Sequence, residues 1–93
     1  AVETVDHELK KVTETAIKNG YEVLVIADHG NADCMIQPDG SPHTAHTTAS
    51  VPVVLVTKRD VSLQNGILAD VSPTLLKMMD LEQPEEMTGS SLF

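Results

Sequence analysis

The stretch VLVIADHGNADCMIQPDGSPHTAHT, residues 23–47, decides how this 93-residue chain is read. An aliphatic run, Val23-Leu24-Val25-Ile26, stops abruptly at Asp28-His29-Gly30. Two more histidines, His43 and His46, follow before a second aliphatic run, VPVVLVT at residues 51–57. Short, nearly continuous runs of this kind suit strands covered on both faces. A strand that serves only a core has no use for an acid and an imidazole at its end. A metal site has.

Residues 28–50 form a long excursion between the two runs. Structureless loops beyond about 12–15 residues are uncommon in compact domains unless they carry function. Pro38-Asp39-Gly40 predicts a hairpin turn inside it. In α/β sheets ligands collect at the carboxyl ends of strands, where Asp28 and His29 stand. Gly30 lets the chain turn sharply and another backbone approach. Adjacent side chains of a regular strand point to opposite faces, but the alternation lapses at a strand end before Gly, so Asp28 and His29 could reach one ion. Carboxylate and imidazole suit Zn2+, Mn2+ or Fe, and one cysteine, Cys34, is too few for a thiolate site. His43 and His46 would be neighbours on a helical turn and would diverge on extended chain, so spacing alone does not make both ligands. The plainer reading has Asp28 capping the turn and the histidines as polar loop residues.

Outward from this stretch, Val2, Val5, Leu9, Val12, Ala16 and Ile17 recur at helical spacing, and Lys18-Asn19-Gly20 closes an amphipathic helix. His7 lies off the apolar stripe and reads as a solvated helix residue. Residues 58–66 are a polar connector. A second helix is predicted through about Met79, with Asp70 or Ser72 as N-cap and Pro73 in its first turn. The turn-rich tail LEQPEEMTGSSLF, residues 81–93, is expected to lie over a neighbouring surface. Helix, strand, excursion, strand, helix predicts an α/β fold with a parallel sheet.

Composition narrows the function classes. Fourteen acids against six bases give a net charge of −8, which argues against nucleic acid and anionic membrane as partners. The lone Cys34 indicates a reducing, cytoplasmic compartment and reads as a small hydrophobe. Nothing in the sequence approaches the run of roughly 20 apolar residues that a membrane-spanning helix needs. With one Tyr, one Phe and no Trp, the core must be aliphatic. A chain of this length is one domain at most and buries only roughly 60–65% of its unfolded surface. It opens at Ala1, already in helical pattern, which raises the expectation of a piece cut from something longer.

ADHGNAD (27–33), HTAHT (43–47), VPVVLV (51–56) and LADVSPTLLKMMDLEQPEEMTGSSL (68–92), in that order, resemble the C-terminal segment of cofactor-independent (2,3-bisphosphoglycerate-independent) phosphoglycerate mutases, members of the alkaline phosphatase superfamily. AVETVDHELKKV resembles the helix before that segment. The resemblance covers essentially the whole chain. It implies that residues 1–93 are the C-terminal part of the metal-binding, phosphatase-like domain. The substrate-binding domain and the rest of this one would lie outside the chain.

The implied activity is a glycolytic isomerase reaction, the interconversion of 3-phosphoglycerate and 2-phosphoglycerate through a phosphoserine intermediate. Two Mn2+ ions take part, with Mg2+ or another divalent ion as the alternative. Carried over residue by residue, Asp28 and His29 look like ligands of one ion and His46 like a ligand of the other. His43 has no ligand role in the family pattern and is read as supporting a ligand from behind or ordering the loop. Ligating histidines must be neutral, so metal affinity should fall below roughly pH 6.5. The family's serine nucleophile and the basic groups that grip substrate match nothing here, so no catalytic residue is expected in this chain and it should be inactive alone. Metals and basic groups from elsewhere would let so acidic a segment face an anionic substrate. Arg59 matches no substrate-binding position and reads as a surface residue. Asp80 stands where relatives have Gly, at an expected small cost at a helix end.

The full-length enzyme is expected to be a monomer, and the isolated chain to expose sheet edges and an apolar face and to self-associate. Two alternatives remain at this stage. One is a phosphopentomutase or metal-dependent phosphatase of the same superfamily; the other is a small acidic interaction module without catalysis.

Overall fold

A computed structural model describes all 93 residues, which divide into two units, 1–57 and 58–93. The first holds helix α1 (Val2–Lys18) and strands β1 (Val23–Val25) and β2 (Val54–Val56). The second holds a 3-10 turn over Leu68–Asp70 that leads directly into helix α2 (Val71–Met78).

Helix α1 follows its apolar spacing and ends where Gly20 is placed in the sequence. Gly20 takes φ +84°, its N–H bonds to the Ile17 carbonyl at 3.1 Å, and the Tyr21 N–H reaches the Ala16 carbonyl at 2.9 Å. That double closure is the Schellman ending, which needs a left-handed residue just past the helix. Thr13, Ala16 and Ile17 are half-buried. Towards the N-terminus the stripe stays open, with Val2, Val5 and Val12 each more than 60% exposed. Leu9 faces Val25, Val54 and Val56 across an open groove of about 270 Å3.

The α/β class holds, but the sheet is not parallel. β1 and β2 pair antiparallel, Val23 with Val56, Leu24 with Leu55 and Val25 with Val54. The reason lies in the excursion, which folds back on itself instead of crossing over. Inside the β1–β2 ladder sits an antiparallel bridge between Gly30 and Thr47, and inside that another between Ile36 and Pro42. The segment from β1 to β2 is thus one long, interrupted hairpin, whereas a parallel pair would need a crossover, usually helical. Its tip is the expected turn. The Gly40 N–H bonds to the Gln37 carbonyl at 2.9 Å, and Gly40 adopts φ +86°. Asp39 Oδ1 accepts the Ser41 hydroxyl at 2.6 Å and the Ser41 N–H at 2.9 Å, which hold its carboxyl below the usual carboxylate value. Both strands are also shorter than their apolar runs and only partly covered, with Val54 49% exposed.

In the second unit the tail closes over α2. Thr74 is fully buried; its hydroxyl donates to the Asp70 carbonyl at 2.7 Å and accepts the Leu92 N–H at 3.0 Å. Leu92, Met78 and Pro73 are buried beside it. Asp70 occupies the N-cap position of α2, yet its carboxylate does not cap that helix. Oδ2 accepts the Ile67 N–H at 2.9 Å and Oδ1 the Ser90 N–H at 2.8 Å, so this one acid ties the 3-10 turn to the tail. Gly66 and Gly89 leave the room: a Cβ on either would press within 3 Å of the Asp70 carboxylate. Arg59 donates to the Met78 carbonyl at 2.9 Å, at the C-terminal end of α2, where cations are favoured. Lys77 sits 5.0 Å above the Phe93 ring and donates to the Phe93 carbonyl.

Candidate metal centre

The long hairpin brings the end of β1 and the HTAHT segment together. Two features of the sequence do this. Gly30 exposes bare backbone, and Thr47 pairs with it: Gly30 N–H to Thr47 carbonyl at 3.3 Å, Thr47 N–H to Gly30 carbonyl at 2.8 Å. Side chains add two ties. Asn31 Nδ2 donates to the Ala45 carbonyl at 3.1 Å, and Thr47 Oγ1 donates to Asp33 Oδ1 at 2.8 Å.

The result is a cluster of all three residues that the sequence resemblance implies as ligands. Asp28 Oδ1 lies 3.4 Å from His29 Nε2. The His29 and His46 rings stack at 3.6 Å between centroids, 10° from parallel. His29 Nδ1 lies 3.0 Å from the Gly30 carbonyl oxygen. A carbonyl can only accept, so Nδ1 carries the proton of that bond. In neutral His29 this leaves the Nε2 lone pair beside the Asp28 oxygen. Metal-bound histidines are commonly oriented in this way, by giving the other ring N–H to a carbonyl.

The donor set fits a divalent ion. Two donors about 2.1 Å from one ion, at the tetrahedral angle, stand about 3.4 Å apart, which matches Asp28 Oδ1 and His29 Nε2. No group of three or more His, Cys, Asp or Glu side chains converges on a single point, however. The stack explains why. Imidazole nitrogens bind in the ring plane, so two near-parallel rings suit two ions better than one. Asp28 and His46 are exposed and His29 half-buried, so the cluster is open on one side.

His43 is not brought into the cluster's ring stack. Its backbone N–H bonds to the Met35 carbonyl at 2.8 Å, and its Nδ1 is buried without a hydrogen-bond partner. Cys34 is a free, half-buried thiol. Reading the sequence for ion ligands passed over Asn31, Asp33 and Thr47, the residues that hold the two segments together. Their signal was present: amide, carboxylate and hydroxyl side chains beside a Gly in a loop are built to bind backbone and one another.

Comparison with known proteins gives two findings. The family model described as Metalloenzyme superfamily matches residues 1–83. The chain is also similar to proteins named 2,3-bisphosphoglycerate-independent phosphoglycerate mutase. It is 52% identical over 92 residues to that of Flavobacterium johnsoniae, 52% over 93 to that of Parabacteroides distasonis, and 48% over 93 to that of Listeria monocytogenes. In each case the match takes in 99% of this chain and 18% of the relative, so the chain spans under a fifth of the length of those enzymes.

Proposed function

From the premise that this chain belongs to the metalloenzyme superfamily, we propose that it forms part of a phosphoglycerate mutase, an isomerase that interconverts 3-phosphoglycerate and 2-phosphoglycerate. Its share of the work is to present metal ligands: Asp28 and His29 to one divalent ion, His46 to a second. We take the ions to be Mn2+, with Mg2+ as the alternative. Divalent ions held there would supply positive charge to a transferring phosphoryl group.

The observation that carries this reading is the His29 ring, held by Gly30 with its Nε2 beside the Asp28 carboxylate and stacked on His46. Gly30 sets the direction of the Nε2 lone pair. Asp28 supplies negative charge at that point. His46 offers a second imidazole one ring-thickness away. No side chain here serves as the phosphoryl acceptor, and with a net charge of −8 the chain has little of its own to hold an anionic substrate. We assign both tasks to the remaining polypeptide of the parent enzyme, and infer that the 93 residues alone do not turn over. The proposed setting is the cytoplasm, where Cys34 stays a free thiol.

A chimera tests this. The segment replaces its counterpart in the Flavobacterium johnsoniae mutase, to which it is 52% identical. With Mn2+ the chimera should convert 3-phosphoglycerate to 2-phosphoglycerate, and His46→Ala should abolish that conversion. A chimera as active with His46→Ala as without it would contradict the ligand assignment.

A further inference from the structure

The His46 ring is fixed by what its neighbours do. Ala45, before it, is held through its carbonyl by Asn31, and Thr47, after it, by Gly30 and Asp33. The ring itself is exposed and stacks on His29. An aromatic stack contributes roughly 0.5–1.5 kcal/mol beyond its buried area, too little to hold an open loop in one register.

Gly30 gives the arrangement its room. A Cβ there would stand 2.1 Å from Thr47 Oγ1 and 2.6 Å from Asp33 Oδ1. The Thr47 hydroxyl and the Asp33 carboxylate thus occupy the space a side chain would have taken, bonded to each other over bare backbone at 2.8 Å. We propose that Thr47 and Asp33 are positioning residues: their hydrogen bond sets the register at which His46 lies against His29, and with it the spacing of the metal-ligand set. The consequence for metal rests on the function proposed above; the geometric role does not. Neither residue is a ligand or touches a reacting group in this scheme. They act through the peptide that follows His46.

NMR of the metal-free chain tests the geometric role. Stacked imidazoles shield each other, so the ring protons of His29 and His46 should be displaced upfield in the native chain. Thr47→Val keeps the shape and removes the donor; the displacement should disappear while the amide signals of Val23–Val25 and Val54–Val56 keep their positions. Thr47→Ser restores a hydroxyl and should retain the displacement. Asp33→Ala should lose it from the other side of the bond. Unchanged imidazole signals in Thr47→Val, or equal loss in Thr47→Ser, would overturn the proposal, because a general effect on folding would not distinguish Val from Ser in this way. Co2+ titration of the same samples, followed by visible absorption, should give an affinity about 10- to 100-fold weaker for Thr47→Val. If the native chain takes up no Co2+ while Thr47→Val still loses the stack, the positioning role stands on the ring signals alone.

Discussion

Gly30 and Thr47 exchange both of their backbone hydrogen bonds, at 3.3 and 2.8 Å, and this pair joins the end of β1 to the segment that carries His46. Even a methyl group at position 30 would collide with Thr47 Oγ1 and Asp33 Oδ1. Gly30→Ala should therefore part the two segments, at a cost of roughly 1–3 kcal/mol, the usual penalty of overpacking. Hydrogen exchange at the Thr47 amide measures it: protection should fall there while the amides of α2 exchange as before.

Thr74 gives a prediction for the second unit. Its buried hydroxyl both donates to Asp70 and accepts from Leu92. Thr74→Val has nearly the same volume but leaves the Leu92 N–H buried without an acceptor. Leaving such a group unmade costs about 1–3 kcal/mol, and the urea midpoint should fall accordingly. Thr74→Ser, which keeps the hydroxyl, should lie closer to the native chain.

The Asp70 carboxylate supplies the pH dependence. The Ile67 N–H, and then the Ser90 N–H, hold its pKa below the ordinary value of 3.8. A carboxyl with a lowered pKa in the folded state stabilises that state above its unfolded pKa and stops doing so as pH falls through the folded one. The hold on the tail should be intact at pH 5 and above, and should weaken as pH drops below 3.8 towards the lowered folded pKa. Asp70→Asn should remove much of this acid dependence. A thermal melt series from pH 2 to pH 6 on both chains checks it.

Asp80 stands at φ +56°, two residues beyond the end of α2, with its N–H bonded to the Lys77 carbonyl at 3.1 Å and the Leu81 N–H to the Leu76 carbonyl at 2.9 Å. This is the same ending that Gly20 gives α1, made by a residue with a Cβ. Left-handed backbone is costly for L-residues, with Asp among the more tolerant. Asp80→Gly should stabilise the chain by roughly 0.5–1 kcal/mol, read as a higher denaturant midpoint.

Much of this architecture is legible in the sequence because local rules dictate it. The spacing of Val2, Val5, Leu9 and Val12 gives α1, Gly20 its end, Pro38-Asp39-Gly40 the hairpin tip, and Pro73 the first turn of α2. Strand direction is not local. Val23–Val25 and Val54–Val56 look alike whichever way they run, since an uninterrupted apolar run carries no sign of its partner's orientation. Direction was decided by the nested Gly30–Thr47 and Ile36–Pro42 bridges, pairings that no spacing rule reveals. The site divides in the same way. Asp28, His29 and His46 stand out by their chemistry, while Asn31, Asp33 and Thr47 act through contacts 14 residues away along the chain. The role of Asp70 was half legible: its N-cap position was expected, its bonds to Ile67 and Ser90 were not.

The most direct test of the metal assignment is paramagnetic broadening by Mn2+ at substoichiometric concentration, read from the amide spectrum of the 93-residue chain. It detects weak binding, so an incomplete ligand set is no obstacle. The account predicts broadening centred on Asp28, His29 and His46 and their bonded neighbours Gly30 and Thr47, and its loss in Asp28→Asn combined with His29→Ala. Broadening centred instead on the acidic first turns of α1, around Glu3, Asp6 and Glu8, with the β1 end untouched, would contradict it.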